Sequence, residues 1–190
     1  MAHTLNQAFV RTILEHAGSY PWRLQGVGLL GLRLDGRREY RLHIWDPDSV
    51  VGDPPIHDHP YDFTSTVVVG ELTNTRYAED LDGDEYCRER YSPGAENDRR
   101  RDTVRLVGTS TTFGPGDRYH QVADELHDSR QTSGTVSIIR CRWLDRPELT
   151  VCLRPGAPWV SEQARPATQQ EIHRITTAAL DLFGTDQSSR

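Results

Sequence analysis

The chain has 190 residues, 35% hydrophobic and 26% charged, with a net charge of −6. That is length enough for one domain with a sizeable core, and the composition argues against disorder throughout. Its cationic side chains are all arginine and form no dominant basic block, which speaks against nucleic acid as a partner.

The short run Arg99-Arg100-Arg101 follows Glu96 and Asp98 and reads as a solvated loop. Cys87, Cys141 and Cys152 are odd in number and scattered, so they form neither a disulfide framework nor a Cys-x-x-Cys zinc site. Met1-Ala2-His3-Thr4 opens no charged-then-apolar leader, and no apolar run approaches membrane-spanning length. The expected compartment is a reducing cytoplasm, with no membrane partner.

Residues 4–17 read as a helix. Thr4 and Gln7 resemble a capping box, and Leu5, Phe9, Ile13 and Leu14 form an apolar face with Val10 on its edge. Gly18 and Pro21 end it. From Trp22 the pattern changes to short strands and turns. Residues 27–34 are an apolar run, and Asp35-Gly36 signals a hairpin. Tyr40, Leu42 and Ile44 then alternate with Arg41, His43 and Trp45, the period of a strand.

A proline-bearing loop over 46–55 leads to Ile56-His57-Asp58-His59-Pro60-Tyr61-Asp62. Residues 64–77 read as two strands pivoting at Gly70. Asp82-Gly83 reads as the next turn, and 92–101 as a polar loop. Two strands flank Gly108, and the turn Gly114-Pro115-Gly116 leads to His120. Residues 123–134 read as a polar loop near the site, in which His127 is either a pocket member or simply solvent-exposed. Strands over 135–143 and 148–153 follow. A proline-rich linker, 155–167, precedes a C-terminal helix over 168–183. There Thr168 and Glu171 form a capping box, and Ile172, Ile175, Ala179 and Leu182 form the buried face. The whole reads as one all-β dominated domain, residues 1–190, with a barrel or sandwich over 22–154 between two terminal helices.

His57 and His59 stand at i and i+2, so on a strand their rings point to the same face. Together with His120 they could hold one metal ion, because neutral imidazoles suit iron, zinc, copper, nickel or manganese and three of them leave coordination positions open. Asp58 points away by alternation.

Gly52, His57, His59, Asp62 and Gly70, followed by Gly114, Pro115, Gly116 and His120, resemble the two metal-binding motifs of the cupins over residues 38–153. The resemblance implies an antiparallel jelly-roll barrel with a metal held by His57, His59 and His120. In cupins an acidic ligand usually lies four or five positions beyond the second histidine, where this chain has Phe63 and Thr64. Asp62 lies three beyond it. That leaves Asp62 either a ligand through a shifted loop or, the favoured reading, an acceptor orienting a ligand ring.

A three-histidine cupin is similar to the thiol dioxygenases, of which cysteine dioxygenase is the best known. That resemblance implies Fe(II), with O2 beside a small anionic substrate, and an upstream arginine on the substrate carboxylate, for which Arg33 and Arg41 are the candidates. Trp45, Tyr61, His43 and His127 are expected in the pocket, with His43 and Tyr61 as catalytic candidates and His43 as a proton donor. Tyr119 is expected outside the barrel.

Two departures weigh against a thiol substrate. Thr64 stands near the place where that group carries a cysteine, and no Ser-x-His-x-Tyr element follows. The alternatives are an O2-independent cupin isomerase, lyase or decarboxylase using zinc, manganese, nickel or copper, and a non-catalytic ligand-binding cupin. The resemblance also allows a homodimer.

Overall fold

The computed structural model describes residues 7–46, 55–92, 99–145, 148–157 and 164–185. The Thr4 cap, Leu5 and Gly52 lie outside the described residues.

Two helices, α1 (Gln7–Glu15) and α2 (Gln169–Thr185), accompany twelve strands: β1 (Arg23–Gln25), β2 (Leu29–Arg33), β3 (Tyr40–Trp45), β4 (Ile56–His57), β5 (Tyr61–Val69), β6 (Leu72–Tyr91), β7 (Arg100–Phe113), β8 (Arg118–Gln121), β9 (His127–Gln131), β10 (Val136–Trp143), β11 (Leu149–Leu153) and β12 (Arg165–Pro166). They form a seven-stranded sheet, β12-β1-β2-β3-β10-β5-β8, and a five-stranded sheet, β11-β4-β9-β6-β7, with β11 also pairing β6. Every strand pairing among the described residues is antiparallel.

Alternation along the strands of the first sheet separates two environments. Leu24, Leu30, Leu32, Leu42, Ile44, Val136 and Ile138 face the helices and meet Val10, Ile13, Leu14, Ile172, Ile175, Ala179 and Phe183. This helix-backed layer is the principal core. Burying several such side chains contributes about 1.5–3 kcal/mol each. With that apolar layer outside the sheet, the space between the two sheets carries polar side chains: Asn74, Gln121, Ser65, Ser137 and His127 are all buried.

The helix faces differ slightly from the sequence reading. Val10 is central to the face of α1 and Phe9 is 40% exposed, because Val10, Ile13, Leu14 and Ala17 keep the i, i+3, i+4, i+7 spacing. In α2, Phe183 replaces Leu182 as the fully buried residue of the last turns. The expected capping box is present. Glu171 N donates to Thr168 Oγ1 at 3.2 Å, and Thr168 N donates to Glu171 Oε2 at 2.8 Å. The bidentate pair of Arg174 with buried Asp46 ties α2 to the end of β3.

Gly70, at φ +82°, pivots β5 into β6 as expected. Asp82-Gly83 does not turn the chain back. β6 runs through it with a bulge, so that Glu79 and Asp84 both stand opposite Leu106 of an unbroken β7. Residues flanking a turn signal form a hairpin only if they pair with each other, and here both flanks pair with β7 instead.

Candidate metal centre

β4 and β9 pair antiparallel with His57 directly opposite His127. Directly opposed side chains in such a pair share one face and lie in contact. His59 follows two residues after His57 and returns its ring to the same point. Ring centroids are 4.7 Å apart for His57 and His59, 4.9 Å for His57 and His127, and 5.0 Å for His59 and His127. One nitrogen from each ring falls within a 4.8 Å cluster.

Hydrogen bonds on the far side of two rings set which nitrogens carry lone pairs. His57 Nδ1 lies 3.0 Å from the Pro55 carbonyl, and His127 Nδ1 lies 2.7 Å from Asn74 Oδ1. A carbonyl oxygen only accepts, so both Nδ1 atoms donate; in a neutral ring so oriented the lone pair is on Nε2, the atom turned inward.

The Asn74 amide is itself oriented. Its Nδ2 donates to Gln121 Oε1 at 3.3 Å, Gln121 Nε2 donates to Glu125 Oε2 at 2.9 Å, and Ser129 Oγ donates to Asn74 Oδ1 at 3.2 Å. The carboxylate at the end of this relay fixes each amide in turn. His59 Nε2 faces His127 Nε2 at 2.9 Å. Burial, reinforced by the neighbouring imidazoles, holds His59 and His127 well below the ordinary histidine range, so both are neutral, the form that ligates metals.

His120 is not a member of this cluster. The β5–β8 register sets Thr64 opposite His120 and Ser65 opposite Tyr119. Gly116 does make the expected turn, at φ +91°, but the strand it launches turns Tyr119 and Gln121 inward. His120 is exposed on the outer face beside Thr64. Tyr119 is buried against Phe63 and Phe113, opposite to its expected placement.

His127, a pocket candidate placed by its sequence in a polar loop, is instead on β9, where it is buried and lines the cavity. The signal available for it was the alternation of His127, Ser129 and Gln131, which all face inward.

Asp62 is neither ligand nor acceptor for a ligand ring. It shares the outer face with Thr64, where Arg142 Nε donates to its Oδ2 at 3.0 Å and Ala123 N donates to its Oδ1 at 3.0 Å. The Arg142 hydrogen bond, and next to it that of Ala123, hold its carboxyl below the usual range against the opposing effect of burial. Asp58 points away as expected. Its Oδ1 accepts from Thr150 N at 2.8 Å and fastens the β4 segment to β11.

A cavity of about 440 Å³ opens onto the three histidines. Arg41, His43, Trp45 and Tyr61 line it, as expected, with Phe63, Tyr119 and Gln131. Arg41 Nη1 donates to Tyr61 Oη at 3.3 Å, and Tyr61 stacks on His59 with centroids 5.0 Å apart. Burial, with the Arg41 charge adding to it, pushes His43 down to about 3. It is therefore a neutral hydrogen-bonding group rather than an imidazolium acid.

Three cavity-lining N–H donors have buried atoms without a partner among the described residues: Arg41 Nε, Trp45 Nε1 and Gln131 Nε2. Buried donors of this kind are costly unless a bound molecule meets them. Arg33 is not in this cavity. It lines an adjoining groove that shares Arg41 and His43 with it.

No protein-family model matches the chain, and no curated protein matches its sequence.

Proposed function

We propose that the chain is a three-histidine metal enzyme of cupin type, a mononuclear non-haem iron oxygenase acting on a small anionic metabolite with O2. The observation that carries this reading is the tautomer setting at His57 and His127: two rings, each donating through Nδ1, turn Nε2 toward a point that His59 also faces. The donor set fits a divalent metal of intermediate softness, Fe(II) above all, with Zn, Mn, Ni or Cu also suited to imidazole. Three neutral ligands leave its charge uncompensated, which favours a substrate that binds as an anion. Bound there, the metal would supply a Lewis-acidic and redox-active centre for that anion and O2.

The protein's own residues do the rest. Arg41, braced by Tyr61 and with Nε unspent, holds a substrate carboxylate inside the cavity. Trp45 Nε1 and Gln131 Nε2 donate to further oxygen atoms of the substrate. Tyr61, Phe63 and Tyr119 exclude water along one wall. His43, neutral, orients rather than protonates.

Metal analysis of the purified protein with O2-uptake measurements on a panel of small carboxylates tests the reading. Iron together with substrate-dependent O2 uptake supports it. Zinc, nickel or manganese with turnover independent of O2 would assign an isomerase, lyase or decarboxylase instead. Unaltered small-molecule binding in metal-free His57→Ala and His127→Ala proteins would assign a non-catalytic binding cupin.

A further inference from the structure

Outside the metal cavity, β1, β2 and β3 present one open face lined by arginines. The register sets Arg23 opposite Gly31 and Gly31 opposite His43, with Arg33 opposite Arg41 in the next row. These residues share a face by strand alternation. They line a groove of about 910 Å³ that continues into the metal cavity through Gln25, Leu29, Arg41 and His43.

Three features mark this groove as built for an anion. Like charges directly opposite on neighbouring strands are destabilising, yet Arg33 faces Arg41, and Arg23 and Arg38 add to the repulsion on Arg33. Among the described residues no carboxylate pairs with Arg23, Arg33 or Arg41, although many of the chain's other arginines do have one. Gly31 leaves the centre of the groove floor without a side chain. A Cβ there would sit 3.9 Å from both His43 Cδ2 and the Arg23 carbonyl, so the space is open by sequence rather than filled and vacated. The buried, unpartnered Nε of Arg41 stands where groove and cavity meet.

We infer that this groove is a second anion subsite, which receives the carboxylate- or phosphate-bearing tail of an extended substrate whose other end lies at the three histidines. The inference rests on the proposed metal site for the position of the head group, and deepens it: the substrate is a dianion with its charges at two ends rather than a compact amino-acid-sized monoanion. Arg41 serves the head and Arg33 and Arg23 the tail. Guanidinium groups suit both candidate tails because they bind carboxylate and phosphate in bidentate fashion.

The test is calorimetric titration of the full-length protein at low ionic strength. The probes are butyrate, the dicarboxylates glutarate and adipate, and 3-phosphonopropionate and 4-phosphonobutyrate. At least one dianion is expected to bind about tenfold tighter than butyrate, the worth of one charge-assisted contact. The better series identifies the tail as carboxylate or phosphate.

In an Arg23→Gln/Arg33→Gln protein that preference should vanish while butyrate binding stays the same. The melting temperature of a ligand-free Arg33→Gln protein, in which Arg23 keeps its hydrogen bond to the Ala164 carbonyl, should rise because the repulsion is relieved; an arginine with a purely structural role would lower it. Equal binding of butyrate and every dianion, or a preference that survives in the variant, would overturn the inference. Co(II) binding, followed by its absorption spectrum in the same proteins, reports the metal site separately. Its absence from the unaltered protein would remove the metal reading without deciding the groove.

Discussion

His57 and His127 stand directly opposite each other on β4 and β9 although 70 positions of chain separate them. The ladder that pairs these short strands is therefore also what assembles the candidate metal centre. His120, seven positions before His127, faces the other side of its sheet beside Thr64. The contrast between these two histidines gives the sharpest test of the site.

His57→Ala and His127→Ala should each lower Co(II) or Zn(II) affinity by at least 100-fold, whereas His120→Ala should bind as the parent does. Titration of metal-free protein, with circular dichroism to establish folding, measures this. Loss of metal binding in His120→Ala with retention in His127→Ala would refute the assignment.

The relay behind His127 makes a second prediction. Asn74→Ala removes the acceptor that holds Nδ1–H, so the imidazole can switch tautomer and turn a protonated Nε2 inward. Metal affinity should fall by about 10- to 100-fold, the usual cost of losing such a supporting contact. Gln121→Leu, one step further along the relay, should give a smaller loss in the same direction. Isothermal titration with Zn(II) distinguishes the two.

A metal that binds only the folded chain stabilises it by mass action. At a free concentration one hundred times the dissociation constant, the gain is about 2.7 kcal/mol. The melting temperature should rise with added Zn(II) or Co(II), fall back with chelator, and show no response in His57→Ala.

His43 supplies a pH prediction. Its ordinary value is 6.5, and in the fold it titrates at about 3. As pH falls below 6.5, the unfolded chain takes up a proton that the folded chain refuses, so stability declines. The decline approaches about 1.4 kcal/mol per pH unit for one such group and ends near pH 3. His43→Gln should flatten this part of the stability curve. Denaturant unfolding of the metal-free protein between pH 7.5 and 5 checks it, and identical slopes in parent and variant would count against a buried neutral His43.

The cap of α2 behaves in the same direction at lower pH. Arg165 and then the Thr168 backbone N–H draw Glu171 from 4.5 down to about 2. Its contribution is complete above pH 4.5 and is lost as pH falls toward 2. Thr168→Ala should cost about 1 kcal/mol at neutral pH, as loss of an N-cap usually does, measured by the shift of the urea midpoint.

Much of the architecture was legible in local pattern. The alternation over 40–45 placed Arg41, His43 and Trp45 on one face and Leu42 and Ile44 on the other, and the structure has that division. The same reasoning failed at β8, because the face on which a four-residue strand places its residues is decided by the register it adopts. A shift of one residue would exchange Tyr119 and His120, and nothing within Arg118–Gln121 indicates which of them faces inward.

Distance along the chain is the other limit. Sequence by itself determined the strand-rich class, the terminal helices, the capping box at Thr168 and the shared direction of His57 and His59, since each depends on neighbours within a few residues. Tertiary structure alone decided the third histidine, the removal of Asp62 to the outer face with Arg142, and the rows of arginine across β1, β2 and β3. Those depend on which strands pair and in what register, and hydrogen-bond ladders between distant segments settle that only once the two sheets have formed.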